Sequence, residues 1–143
     1  MPIRMDGKDE LQYRRSLTVH MRSLIMKSLQ IEYSDENVIM GFYRGFYLQF
    51  GFSEAHPLLV FHMVRKLEGE RENPIRRINS INLTGVLGCH IYNEELKCYT
   101  FRATHWIDTE MSQERFFEIL DRCVDEAVRA YNQLTSHRYE KNE

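Results

Sequence analysis

The sequence lacks the features that mark several broad classes of protein. Its 143 residues hold only three cysteines, Cys89, Cys98 and Cys123, without CxxC spacing. We therefore expect neither a disulfide framework nor a structural zinc site, and we interpret the thiols as reduced and buried. No apolar run approaches the roughly 18 residues of a membrane helix. The first ten residues carry charge without the apolar core of a secretory signal, so we expect a cytoplasmic protein that does not span a membrane.

Common catalytic motifs are missing as well. The chain contains no GxGxxG, Walker loop, HExxH or GxSxG motif. Carboxylate pairs occur at Glu94-Glu95 and Asp125-Glu126, but adjacent residues point in different directions, and we interpret both pairs as solvated charges. The net charge is −2, and no segment is basic enough to indicate a nucleic-acid surface. The sequence favours a protein that is not an enzyme, with no catalytic residues, metal or cofactor.

The composition is that of an ordinary globular protein. Apolar residues make up 43% of the chain and charged residues 28%. The length is close to that of one domain. We therefore predict a single domain over residues 1–143, with an ordered core from about 9 to 134 and a polar tail that frays after Leu134.

Three segments have helical patterns. Apolar residues recur at three- and four-residue spacing from about Asp9 to Leu29. Asn73-Pro74 combines a favoured cap with a proline suited to the first helical position, and Gly85 ends that second helix. Ser112 is the predicted cap of the third helix. The apolar face of the third helix comprises Phe117, Leu120, Val124, Ala127, Tyr131 and Leu134.

The segments between these helices are typical of strands. Aromatic and branched residues fill three segments, and Arg44-Gly45 forms a tight turn between the first two. A further hairpin surrounds Asn93-Glu94-Glu95. The predicted strands are Val38 to Tyr43, Phe46 to Phe52, Pro57 to Val64, Val86 to Tyr92 and Leu96 to Trp106. This pattern predicts an α+β fold in the order α-β-β-β-α-β-β-α, an antiparallel sheet with helices packed on one face.

Apolar residues occupy both faces of the first three strands, whereas the final hairpin has one polar face. Either another part of this chain or another copy could cover the second apolar face. Because three helices supply cover for only one face, we favour a homodimer or a protein partner. The predicted partner surface comprises Phe42, Phe46, Leu48, Phe50 and Val60.

Two alternatives remain open. A small enzyme or metal-binding protein could use His62, His90 and Arg102 on the polar sheet face, with Cys98 beside them. A single-stranded nucleic-acid binder could stack bases on the tyrosines near Arg44. The acidic residues around Arg44 weaken this second alternative.

The hairpin and the last helix resemble the YbjN-type domain, a family of bacterial sensory transduction regulators. The resemblance rests on INLTGVLGCHIYNEELKCYTFRATHWID and SQERFFEILDRCVDEAVRAYNQL, including Phe101-Arg102 in the second strand and Tyr131 near the helix end. It extends over roughly residues 10 to 134. The resemblance implies a fold similar to type III secretion chaperones and a regulatory or chaperone-like binding role, and it supplies no catalytic residues.

Overall fold

The computed structural model describes residues 7–53, 56–107 and 110–135, with side chains from residue 10 onwards. These ranges contain three helices and six strands. In chain order they are α1 (Gly7–Ser28), β1 (Gln30–Ser34), β2 (Val38–Tyr43), β3 (Phe46–Phe52), β4 (Leu58–Lys66), α2 (Pro74–Thr84), β5 (Cys89–Asn93), β6 (Cys98–Trp106) and α3 (Gln113–Leu134).

The six strands form one antiparallel sheet in the order β1-β2-β3-β4-β6-β5. The turn between β2 and β3 is as tight as predicted. Tyr43 pairs directly with Phe46, and Arg44 and Gly45 both have positive φ, 48° and 86°. Two consecutive positive φ angles match the right-handed twist of the flanking strands, which explains this short hairpin connection.

β1 is a strand that the predicted order lacks. It pairs with β2 and contains a bulge between Ile31 and Tyr33. The polar residues Asp35-Glu36-Asn37 form the turn that joins β1 to β2. Asp35 makes this connection by accepting from the backbone N–H groups of Asn37 and Val38 at 2.8 and 2.9 Å.

All three helices pack on one face of the sheet, which confirms the predicted α+β class. Leu17, Met21 and Ile25 of α1 are buried, and Ile78 and Ile81 of α2 join the same core. The third helix contributes the largest share. Its buried apolar residues are Phe116, Leu120, Cys123, Val124, Ala127, Val128, Ala130, Tyr131 and Leu134.

The predicted helix ends occur where the sequence indicated them. The Ser112 hydroxyl accepts from the Arg115 N–H at 3.1 Å, so it caps α3. Asn73 precedes α2, but its side chain makes no capping bond; its backbone has φ 56°, and its carbonyl accepts from Arg77 N at 3.0 Å. The Gly85 N–H donates to Ile81 O at 2.8 Å and ends α2.

None of the described helices has the length and apolarity needed to cross a bilayer. The predicted fraying tail, from residue 136 onwards, lies outside the described ranges, and so do residues 1–6 of the ten-residue segment discussed for a secretory signal.

Candidate functional site: the uncovered sheet face

The sheet face opposite the helices carries a row of side chains that crosses five strands. Direct pairing places Phe42 beside Tyr47, Tyr47 beside Val64, Val64 beside Thr100 and Thr100 beside Ile91. We call these five residues the open-face row. Phe42 is 40% exposed, Tyr47 59% and Ile91 38%, and the Phe42 and Tyr47 rings meet edge to face with centroids 5.3 Å apart. The row therefore presents apolar surface to solvent.

The composition of this face changes from one side of the sheet to the other. Met40, 39% exposed, adds to the apolar side on β2, and Val60 is half-buried on β4. On β6 the corresponding positions include Arg102 and Thr104, both exposed. The face is thus apolar on β2 and along the open-face row, carries Gln49 and His62 beside that row on β3 and β4, and is more polar on β6.

The structure divides the predicted partner surface between the two sheet faces. Phe42 and Val60 lie on the open face, but Phe46, Leu48 and Phe50 are at most 2% exposed beneath the helices. The grouping of all five on one surface is therefore wrong. The reason is the two-residue turn: because Tyr43 pairs with Phe46, the neighbour of Phe42 is Tyr47.

The proposed histidine cluster is divided in the same way. His62 and Arg102 are directly paired on the open face, whereas His90 projects to the helix side and is 2% exposed. Their interpretation as one polar cluster is wrong because Cys89, not His90, pairs with Arg102 on β6, and adjacent strand residues face opposite ways. Burial, with Arg102 nearby, lowers the pKa of His62. Over the described ranges, no group of three or more His, Cys, Asp or Glu could hold a metal ion.

His90 belongs instead to a buried hydrogen-bond network. Its Nε2 lies 3.1 Å from the Glu126 carboxylate and its Nδ1 lies 2.6 Å from the Tyr99 hydroxyl. Glu126 also accepts from the backbone N–H groups of Val86 at 2.9 Å and Leu87 at 3.2 Å. The carboxylate therefore anchors the segment between α2 and β5 to α3. The interpretation of Glu126 as a solvated charge is wrong, since it is 8% exposed.

The charges in this network follow from these contacts. Burial lowers the pKa of His90 even though Glu126 opposes the shift. Burial acts to raise the pKa of Glu126, but the hydrogen bonds from Val86 and Leu87 and the contact with His90 lower it overall. Burial raises the pKa of Tyr99 well above its ordinary value. An ionised Glu126 can only accept, so His90 Nε2–H donates to it and the Tyr99 hydroxyl donates to Nδ1.

The three cysteines occupy different environments. Cys123 is buried in α3, and burial, with Glu126 nearby, raises its pKa to about 12. Cys98 is half-buried, and Cys89 is exposed. The prediction of buried thiols is therefore correct for Cys123 and wrong for Cys89.

Arg44 and its neighbouring tyrosine are engaged by α3. The guanidinium contacts the carboxylates of Asp121 and Asp125, each at 3.1 Å. The Tyr43 hydroxyl donates to Asp121 at 2.6 Å, and burial, together with this bond, raises the pKa of Tyr43 to about 12. Tyr47 projects from the opposite face. The aromatic and cationic groups considered for base stacking therefore do not share a surface.

The two edges of the sheet differ in accessibility. At β5, the Asn82 side chain of α2 donates to His90 O and accepts from His90 N, both at 2.8 Å. An added strand could not use these backbone groups. At β1 the bulge between Ile31 and Tyr33 interrupts the pairing, a feature that often limits edge-to-edge association.

The arrangement of three helices on one face of a six-stranded antiparallel sheet defines a class of fold, and solved structures share it. A chain of the crystal structure of the ExsC-ExsE complex is 15% identical; the match covers 92% of this chain and 98% of that one, with a TM-score of 0.60. A chain of the HopA1-SchA chaperone-effector complex is 16% identical over 92% of this chain and 99% of that one, with a TM-score of 0.56.

At these identities the likeness concerns the fold alone. The fold is that of the type III secretion chaperones, which confirms the fold implied by the YbjN resemblance. No family model matches the chain, and no curated protein matches it. Membership of the YbjN-type family therefore stays a prediction.

Proposed function

We propose that this chain is a non-enzymatic, chaperone-like binding or regulatory domain that uses its open sheet face to bind protein. The partner is a segment of a client or a second copy of the chain in a homodimer. The observation that carries the proposal is the open-face row, where Phe42, Tyr47 and Ile91 remain exposed on a face that no described helix covers. Contiguous apolar patches of this kind commonly mark interaction sites.

The neighbouring folds give independent support. One of them belongs to a chaperone-effector complex, that of HopA1 and SchA. A protein-binding role also agrees with the geometry of the face, because aromatic and branched side chains on adjacent strands can be buried by a flat or extended partner. The enzyme and nucleic-acid alternatives receive less support, since His90 lies on the opposite sheet face from His62 and Arg102, and Tyr43 on the opposite face from Tyr47.

Light scattering coupled to size exclusion, together with binding of an apolar-surface dye, tests the proposal. We expect either a dimer, or a monomer that binds the dye through the open face. Replacing Phe42 and Tyr47 with threonine should convert a dimer to monomer, or weaken dye binding to a monomer. Threonine keeps the strand preference of these positions while removing the rings.

Leu83→Gln is the matched control, because Leu83 is 86% exposed on α2, away from the sheet. Its behaviour should equal that of the unmodified chain. A strict monomer that binds no dye, or a Phe42→Thr/Tyr47→Thr variant indistinguishable from the control, would overturn the proposal.

A further inference from the structure

Arginines line two adjoining clefts beside α2 and α3, on the helix side of the sheet. Each cleft has a volume of about 390 Å³, and the two share Arg71 and Gln133. Arg76 and Arg77 complete one cleft and Arg129 the other. We call the two clefts together the arginine groove. Among the described residues that line it, none carries a carboxylate and none is aromatic.

Two of the four guanidinium groups, those of Arg71 and Arg77, are fixed by hydrogen bonds that do not neutralise them. Arg71 Nε donates to Thr135 O and Arg77 Nε donates to the Glu72 carbonyl, both at 2.7 Å. These bonds use one N–H of each group and a neutral acceptor. Across the described ranges, the arginines that form ion pairs are others, namely Arg14, Arg44 and Arg122.

Nearby backbone charges reinforce the positive potential. The groove includes Asn73, immediately before α2, and the first turn of α2 holds no acidic residue. The first N–H groups of a helix carry partial positive charge. At the end of α3, the carbonyls of Leu134 and Thr135 already accept from Arg71. Four cations close together repel one another, and a bound anion would relieve that repulsion.

We propose that the arginine groove binds an anionic segment of a protein partner, through carboxylate or phosphate groups. This inference rests on the proposed protein-binding function and adds the chemistry of the segment. Arginine presents planar donors suited to both kinds of anion. Two adjoining open clefts suit an extended chain better than a single small ion. Three neutral polar side chains that line the groove can bond its backbone: Asn73, Ser80 and Gln133.

A peptide titration tests the inference directly. The probes are a fluorescent glutamate-rich peptide, the same peptide with phosphoserines in place of the glutamates, and an uncharged glutamine version. The variant is Arg76→Glu/Arg129→Glu, whose side chains are both exposed. The control is Arg15→Glu/Arg115→Glu, an equal change of charge at exposed positions outside the groove. Circular dichroism verifies that each variant folds. If Arg76→Glu/Arg129→Glu does not fold, Arg76→Gln/Arg129→Gln replaces it.

The unmodified chain and the control should bind an anionic peptide and not the glutamine version. The groove variant should bind about tenfold more weakly, and added salt should weaken binding by the unmodified chain. The anionic peptide that binds more tightly identifies the preferred anion as carboxylate or phosphate.

Equal affinity of the groove variant and the control would overturn the inference. The inference would also be overturned if neither anionic peptide bound, or if a single-stranded oligonucleotide bound in their place. Phe42→Thr/Tyr47→Thr should retain the peptide affinity. Loss of the open-face function and loss of the groove function are therefore distinguishable outcomes.

Discussion

Glu126 connects α3 to the segment between α2 and β5 and to His90 of β5. Its carboxylate accepts from the N–H groups of Val86 and Leu87 and from His90. A carboxylate satisfied in this way stabilises the fold, but its loss leaves several buried donors without an acceptor. The side chain therefore holds the α2–β5 connection in place.

Replacing Glu126 with glutamine should lower the free energy of unfolding by about 1–3 kcal/mol. The amide oxygen retains one acceptor, but the charge that strengthens the bonds is lost. Urea unfolding measures the change. Glu118→Gln is the matched control on the same helix, because Glu118 forms an exposed pair with Arg122; its cost should stay below about 0.5 kcal/mol. Equal costs for the two variants would contradict the anchoring role of Glu126.

Acid should destabilise the protein, and His90 should account for part of the loss. The folded pKa of His90 lies below its ordinary value of 6.5, so the folded state favours the neutral ring. Its stabilising contribution is complete above pH 6.5 and decreases as the pH falls towards the folded pKa. The pKa of Glu126 is also lowered, from 4.5, and its contribution is lost at still lower pH. Burial lowers the pKa of His62 and His105 in the same direction.

Unfolding free energies measured at about pH 7.5 and about pH 5.5 test this prediction. The decrease between these two values should be smaller for His90→Gln than for the unmodified chain, because glutamine does not titrate. An identical decrease would show that His90 is not in the buried, neutral state described here.

Single residues also show which features could not be predicted from the sequence. Alternation is a reliable guide within one strand: along β4, Leu59, Phe61 and Met63 are buried, whereas Leu58 and Val60 lie on the other face. Alternation within each strand does not connect one strand to the next, and the relation of Phe42 to Phe46 depended on the register at Arg44-Gly45. Glu126 carried no distinguishing signal, because its partners lie about 40 residues away in the sequence.

At the scale of elements, Asn82 joins α2 to the outer edge of β5. The two hydrogen bonds with His90 occupy backbone groups that no strand pairs with. Asn82→Ala should lower the free energy of unfolding by about 1–2 kcal/mol and speed amide exchange in β5. Asn79→Ala is the control, since Asn79 is exposed on the same helix. Unchanged exchange in β5 for Asn82→Ala would contradict this role of Asn82 at the edge.

The elements themselves were largely predictable. The helix-starting and helix-ending residues Asn73-Pro74, Gly85 and Ser112 located the ends of two helices. β1 was missed because it is a short edge strand with mostly exposed residues, so it lacks the alternation that marks a half-buried strand. The arginine groove was also missed, because Arg129 lies on α3, far in sequence from Arg71, Arg76 and Arg77.

At the scale of the whole molecule, the three described helices cover one face of the six-stranded sheet, and no described helix covers the other. This asymmetry follows from the number of helices available and from the direction in which each strand points its large side chains. The type III secretion chaperone-like fold thus presents two candidate binding surfaces on opposite sides. The open-face row is apolar, whereas the arginine groove is cationic.

Site-specific photo-crosslinking in cells tests the central claim most directly. A photoreactive phenylalanine analogue at position 42 should crosslink the chain to a second copy or to a client protein, because Phe42 lies in the open-face row. The same analogue at position 83, on exposed Leu83 of α2, should give markedly less product. Phe42→Thr/Tyr47→Thr should release the same partner from a purified complex. Equal crosslinking at the two positions, or none at position 42, would contradict the assignment of the open sheet face as the protein-binding surface.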